Sequence, residues 1–513
     1  MGYITIKIVV CIIHVVLKMK EIYLDYHSIR TFSDLFFLME RKYSCRVAFR
    51  WVDDDENVQQ KTYKDFCTDI RGGVSYLCEI CNFVKEQHVA ILARNSYDYV
   101  VMLFSCFVAG MVVVPLNLQK STEEILKELS DSDTNIVLHD GEFVDRETNF
   151  IELFSGQLLP LDGYAYCSKD VQWADQSPLT LASIYYTSGT TARSKGVMLS
   201  QRCILESYPE YASMEDSCRL VYGMVKDTPI SWFLATPLYH VIGFGQMLCS
   251  CISGCEVNIN RNTKYFFRDL LMLPSNMTCI TPAFIQPIER KFNHKKSGFL
   301  GGLKVICSAG APIQENTVKT LLLNGIYVIQ FYGLTEVFSG VTLNCSQEID
   351  KIASIGKECL HPMWHNKCSI IESELCIHGA SLMMGYYNNP EATAEVIDEK
   401  GWFHSGDFAR QDADGYFYLV GRKKNLIILS GGENVNPEEI ETQLLINEDV
   451  LEVVVREQDN RIVAEVFCEE TSRRRIEAFV TELNRTLPMY KRISYVEFRE
   501  TPFERTATGK IKR

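Results

Sequence analysis

Between Tyr185 and Ser200 the chain reads YYTSGTTARSKGVMLS, with six serine and threonine hydroxyls, two glycines and one lysine set about two short apolar runs. Such a stretch suits an oligophosphate. Gly189 and Gly196 free the backbone to approach and turn, and Lys195 adds a point charge. The hydroxyls of Thr187, Ser188, Thr190 and Thr191 can rotate to follow phosphate oxygens, alongside backbone N–H groups. The arrangement is not a Walker A loop, in which Gly-Lys-Ser/Thr opens a helix. Here Ser194, Lys195 and Gly196 run into the strand-like VMLS. Taken alone, a solvated hairpin loop accounts for the same residues.

Four further residues have side chains able to take part in such chemistry. Glu336, in FYGLTE, offers a carboxylate for a hard cation. Asp407 precedes the turn DADG, His240 lies in TPLYHVIGF, and Lys510 sits three residues from the end in GKIKR. Each also has an ordinary reading: an exposed acid, a turn cap, a satisfied core histidine, a solvated lysine. Cys78 and Cys81 form the only close CxxC among 19 cysteines, and no second pair completes a zinc site. The cysteines read as thiols of a reducing compartment.

The elements that must hold these residues are legible. From Asp25 to Val420 strand-like runs alternate with helical patterns, which predicts α/β layers with largely parallel sheets. HVAILA (88–93) reads as a buried strand, YDYVVMLFSCFVAGM as a buried helix ending near Gly110, and VVVPLN as the next strand. STEEILKELSDSD reads as an amphipathic helix capped by Ser121. ASIYYT and VMLS are strands flanking the hydroxyl-rich loop, with Ser200 capping the next helix. The basic run GRKKN at 421–425 marks a change. Beyond it come a helix with Asn436 as cap and Pro437 at its first position, two strands, a second helix and a last strand. This predicts a large N-terminal domain, 19–420, and a small mobile α+β domain, 421–513.

A length of 513 residues with 47% hydrophobic content allows large cores, and the net charge of -13 argues against nucleic acid or anionic membrane as a partner. The apolar run Ile8–Leu17 is shorter than the about twenty residues that span a bilayer. It is followed by Lys18 and Lys20 and by no small-residue cleavage site, and Gly2 lacks a myristoylation pattern. Met19 is therefore the expected start, with 1–18 a non-native leader. The protein is expected to be cytoplasmic, without stable membrane insertion.

The motifs recur in an order that resembles the adenylate-forming superfamily of acyl-CoA synthetases, peptide-synthetase adenylation domains and firefly luciferase. Nearly the whole chain is covered: the loop at 185–200, TPLYHVIGF at 236–244, SAGAP at 308–312, FYGLTE at 331–336, ELCIHGASLMMGYYNNPEATAE at 374–395, WFHSGDFARQDADGYFYLVGRKKNLIILSGGENVNPEEIE at 402–441, and the terminal TATGKIKR. Ala192 and Ser194 stand where the family usually has Gly and Pro, and Ser373 where Gly is usual. The resemblance implies ATP-dependent activation of a carboxylic acid to acyl-AMP with pyrophosphate release, followed by thioester formation with CoA. ATP, Mg²⁺ and CoA are the implied cofactors.

It also implies roles. Thr187 to Thr191 (with Ser188, Gly189 and Thr190) and Lys195 would cradle phosphates, with Thr190 and Glu336 on Mg²⁺. Tyr332 would stack on adenine in a slot lined by Gly310, Ala311, Pro312 and Gly333. Thr335 would bond the α-phosphate. Asp407 would take the ribose hydroxyls, with Arg422 reaching the ribose from beyond the boundary. Lys510 would bridge the substrate carboxylate and the α-phosphate. His240 would abut the acyl carboxylate, and Lys424 would be the hinge about which the small domain turns to bring SGGEN (430–434) to the site.

No aspartate lies between Leu234 and Gly245 to pair with an α-ammonium group, which disfavours amino acids as substrates. The apolar Val241, Gly243, Phe244, Gly245, Val337 and Phe338 point to an aliphatic or plain aromatic tail, and the overall likeness is to fatty acyl-CoA synthetases. Two alternatives stand beside this: a ligase that loads a separate acyl carrier protein, and a non-catalytic nucleotide- or acyl-binding protein, for which Ala192 and Ser194 are the only support.

Overall fold

The computed structural model describes residues 29–81, 86–166, 176–187, 194–207, 230–294, 298–338, 340–346, 348–358, 366–430, 433–505 and 511. The chain has a mixed α/β fold of two compact units, Met1–Lys367 with His378–Val396, and Cys368–Ile377 with Ile397–Arg513. The first eighteen residues lie outside the described ones. Among the described residues no helix is long and apolar enough to cross a membrane.

The first unit is built on two sheets. In one, the strands Tyr327–Gly333, Val305–Ser308, Met277–Ile280, Ser231–Leu234, Glu256–Ile259 and Val47–Val52 lie side by side and parallel, with antiparallel strands at both edges. Short apolar runs such as VICS and MTCI are buried at every position, as strands covered on both faces must be. Phe233, Ile280, Ile306 and Val328 from these strands pack on Ile285, Val318 and Leu321 of the covering helices.

In the other sheet His88–Leu92 is an inner strand. Val112–Pro115 and Leu181–Thr187 run parallel to it on one side, Ile136–His139 and Gln157–Pro160 on the other, and the antiparallel Lys195–Ser200 and Gly385–Tyr386 close one edge. The helix Tyr97–Ala109 is apolar all round and correspondingly buried. Ser96 accepts from the Tyr99 N–H at its start, and Gly110, at φ 76°, ends it in the left-handed conformation that glycine tolerates.

In the second unit, Lys367–Ile371, Glu374–His378, Phe403–Gln411 and Phe417–Arg422 form a four-stranded sheet. Gly421, where the sequence changes character, falls inside this unit. The residues beyond it hold a core of their own, in which Val435, Ile440 and Leu444 pack on Val455, Ala464, Val466 and Ile476. The helix Pro437–Leu444 is capped by Asn436, whose side chain accepts from the Glu438 N–H.

Candidate active site

Parallel strands deliver their carboxyl ends to one edge of a sheet, and the connections leaving that edge are where α/β folds bind ligands. Three predicted segments leave the same edge of the first unit's nine-stranded sheet. His240 follows Ser231–Leu234, Gly310 to Pro312 follow Val305–Ser308, and Thr335 and Glu336 follow Tyr327–Gly333.

The segment before His240 is held by a side chain with no predicted role. Asn95 Nδ2 donates to the Thr236 carbonyl at 3.0 Å, and the Leu238 N–H donates to Asn95 Oδ1 at 2.8 Å. His240 then begins the helix Val241–Ser253, half-buried, its ring 4.7 Å from that of Tyr239. A side chain at Gly243 would stand 2.4 Å from the Pro237 carbonyl oxygen, so only glycine lets this helix close against its own entry turn. Gly310 has φ +83°, and a Cβ there would lie 3.5 Å from both Ile242 and Thr281, which puts the predicted adenine slot next to the segment that follows His240.

Tyr332 is buried, while Gly333, Thr335 and Glu336 are half-buried. Three of the expected tail-binding residues are otherwise employed. Val337, Phe338 and Phe244 are 0% exposed, with Phe338 edge-on to Phe244 at 5.3 Å and to Tyr185 at 6.4 Å. They are core. Phe338 holds φ 56°, a left-handed conformation unusual for a bulky residue, and the aromatic packing on both sides holds it there.

Of the hydroxyl-rich loop, Ser188, Gly189, Thr190, Thr191 and Ala192 lie outside the described residues. Its two ends, Thr187 and Lys195, are paired across the hairpin. Gly196 corrects the expectation of a turn glycine. It sits within a strand, where a Cβ would meet Ile184 at 2.8 Å and the Tyr186 ring at 3.2 Å, so cross-strand packing requires it. Ser194 donates to Glu128 at 3.0 Å; Glu128 also holds Lys120 and is buried, which raises its pKa despite that lysine.

Lys195 and Glu336 meet at a residue that sequence reasoning left without a role. Tyr386 Oη donates to Glu336 Oε1 at 2.9 Å, and Lys195 Nζ sits 4.7 Å from the centre of the same ring. The Met383 N–H donates to the Glu336 carbonyl at 2.8 Å, and Tyr386 pairs with Val197, fixing both partners from one short strand. Burial, then the Glu336 carboxylate, push the Tyr386 hydroxyl far above its ordinary range, so it remains a donor. Its only sequence signal is its place in MGYYNNPE.

In the second unit, Asp407 is the fifth residue of Phe403–Gln411 and, opposite Arg422, forms the first pair of the hairpin whose turn is DADG. The two side chains bind each other, Arg422 Nε to Asp407 Oδ1 at 2.6 Å and Nη2 to Oδ2 at 3.3 Å. The pair expected to approach from either side of a boundary therefore belongs to one hairpin. Glu374 braces it: its carboxylate accepts from the Gly406 N–H at 2.7 Å and from Lys423 Nζ at 3.2 Å. Burial raises the Glu374 pKa, but these donors outweigh it and hold the carboxyl below its usual range. Lys424 is exposed in the turn Lys423–Asn425. Lys510 lies outside the described residues, as do Gly431 and Gly432.

Among the described residues no three His, Cys, Asp or Glu side chains gather as a metal cage. One carboxylate at Glu336 beside the Thr335 hydroxyl suits Mg²⁺, which is held by one or two carboxylates with phosphate oxygens and water completing the shell.

The AMP-binding enzyme family matches residues 40–387, a span that includes Lys195, His240, Gly310, Glu336 and Tyr386. A 2-succinylbenzoate–CoA ligase of Bacillus velezensis is 28% identical over 411 residues, 77% of this chain and 80% of the relative. A feruloyl-CoA synthase of an Amycolatopsis species is 30% identical over 380 residues, 69% of this chain and 72% of the relative. Among solved structures, O-succinylbenzoate coenzyme A synthetase from Bacillus subtilis, in complex with AMP, superposes with a TM-score of 0.78 at 22% identity, over 93% of this chain and 97% of that one; this likeness speaks for the fold. The chain belongs to the AMP-binding enzyme family, the adenylate-forming class. Within that class it is an enzyme of the AMP-forming acid–thiol ligase type.

Proposed function

We propose that this ligase activates an aromatic carboxylic acid with ATP and transfers the acyl group to CoA. One acid oxygen attacks the α-phosphorus of ATP as the bond to pyrophosphate breaks. The CoA thiolate then attacks the acyl carbon, and AMP leaves. The observation that carries the reading is the trio Lys195, Tyr386 and Glu336: a cation for phosphate and a carboxylate for metal, held around one phenol ring. Mg²⁺ supplies neutralisation of phosphate charge. Glu336 would hold it together with Thr190, and Thr335 would bond the α-phosphate.

Tyr332, Gly310, Ala311, Pro312 and Gly333 would take the adenine, and Asp407 with Arg422 the ribose. Thr187, Ser188, Gly189, Thr191 and Lys195 would take the remaining phosphates, and Lys510 would hold acid and α-phosphate in line. His240 would gate the acid, and Lys424 would be the hinge of a mobile piece spanning 421–513.

The relatives named for succinylbenzoate and ferulate favour an aryl acid over the fatty acid expected from the motifs. Both are also named for CoA, which leaves the acyl carrier protein without support.

The test is pyrophosphate release with Mg-ATP and a panel of aryl and fatty acids, each run with and without CoA. Turnover of an aryl acid that requires CoA, and that Lys510→Ala abolishes, is the expected result. If none of the acids triggers pyrophosphate release, the non-catalytic binding reading replaces this one.

A further inference from the structure

A carboxylate taken out of water is costly to the fold unless opposite charge and hydrogen bonds meet it. Glu128, on the helix Thr122–Asp131, is 2% exposed. It meets the Lys120 ammonium, itself nearly buried, and the Ser194 hydroxyl at 3.0 Å. Both partners bind Oε1, and among the described residues Oε2 receives no hydrogen bond. Burial raises the Glu128 pKa in spite of them. As a stabilising device the pair is poor, since two apolar side chains of similar length would fill the space without the desolvation. What the pair does achieve is a grip on Ser194.

Ser194 is the residue before Lys195, and no proline ring fixes its φ. The same helix grips the hairpin a second time. Tyr186 Oη donates to Asp131 at 2.8 Å, and Tyr186 pairs with Gly196, on the other side of Lys195. One helix thus holds the backbone on both flanks of Lys195, where the strand Lys195–Ser200 begins. The Lys195 Nζ then stands 4.7 Å from the centre of the Tyr386 ring, whose hydroxyl donates to Glu336. A displaced Ser194 would carry the ammonium away from that ring and from the carboxylate proposed for Mg²⁺.

We infer that Glu128, paired with Lys120, is a positioning residue: through Ser194 it sets where Lys195 stands, and so how tightly the phosphates beyond the first are held. The inference rests on the phosphate role proposed for Lys195 and adds the residues that aim it. Neither Lys120 nor Glu128 touches the nucleotide. AMP carries the α-phosphate alone, so the anchor acts on ATP and not on AMP.

The experiment is calorimetric titration of Mg-ATP and of AMP into the wild type and three variants. These are Ser194→Ala, the double variant Lys120→Met with Glu128→Leu, and the combination of all three changes. Ser194→Ala and the double variant should each weaken ATP binding by about tenfold, as one hydrogen bond to a charged group is worth, and leave AMP within about twofold. The combination should lose no more than about a further twofold, because the same bond is removed only once. The double variant strands no charge and should melt no lower than the wild type. Unchanged ATP binding, ATP and AMP weakened alike, or losses that multiply in the combination overturn the anchor. Should the double variant fail to fold, Ser194→Ala decides by the same contrast of ATP with AMP. Binding is read apart from turnover. A wild type that binds ATP but releases no pyrophosphate with any acid overturns the ligase reading and leaves the anchor standing.

Discussion

The two regions that carry the predicted nucleotide chemistry treat charge in opposite ways. Around Tyr386, the Glu336 carboxylate and the Lys195 ammonium are each engaged by a neutral phenol, one through its hydroxyl and the other through its face. Around Asp407, a buried carboxylate is matched at 2.6 Å by the Arg422 guanidinium, and Glu374 beside it by Lys423. The ligands proposed for the two regions differ in the same sense. Phosphate and Mg²⁺ are charged and need charge that has not been cancelled. Ribose is neutral and needs only lone pairs and N–H groups held in place, which a neutralised pair offers at lower desolvation cost.

The comparison can be broken most strongly at Glu336. Glu336→Ala should cut pyrophosphate release by about two to three orders of magnitude and leave a residual rate insensitive to Mg²⁺ concentration, read from a metal titration. Asp407→Ala should act on stability as well as on nucleotide use. It strands a half-buried arginine, so urea unfolding should show a loss of about 2 kcal/mol alongside a raised KM for ATP.

Tyr386→Phe is gentler and more informative. It keeps the ring under Lys195 and removes only the bond to Glu336, so the Mg²⁺ requirement should rise by about tenfold with little change in melting temperature. The smallest effect is expected at Glu374, whose carboxyl is held below the ordinary value of 4.5. A lowered folded pKa stabilises fully above that ordinary value, and the contribution is lost as pH falls through the lowered one. Glu374→Gln should lower the neutral-pH urea midpoint slightly and flatten the acid side of the stability profile, so that the two proteins converge as pH falls through the lowered pKa, as measured by urea midpoints from neutral to acid pH.

What the sequence revealed was local. The strand His88–Leu92, the buried helix to Ala109 with its glycine end, and the caps at Ser121, Ser200 and Asn436 are each written in a few consecutive residues, and all are present. Ser373 shows the same rule from the other side. It stands where the family resemblance expects Gly, and it holds φ 68° in the tight turn before Glu374–His378, a conformation that favours glycine. What the sequence did not reveal was long-range. Tyr386 meets Glu336 fifty residues away along the chain, and Glu374 meets Gly406 and Lys423. No periodicity or cap signals such meetings. The apolar run around His240 likewise could not separate pocket wall from core, because Phe244 and Phe338 are spent on each other.

The Asn95 clamp has a consequence for how the molecule comes to be active. One amide fixes the backbone of 236–238 across sequence separations of 141 and 143 residues. Such a bond yields nothing until both flanking sheets have formed, since loop closure must precede it. The turn ahead of His240 is thus fixed by a contact that long-range loop closure must precede, and a refolding chain is expected to regain its strands before it orders that turn.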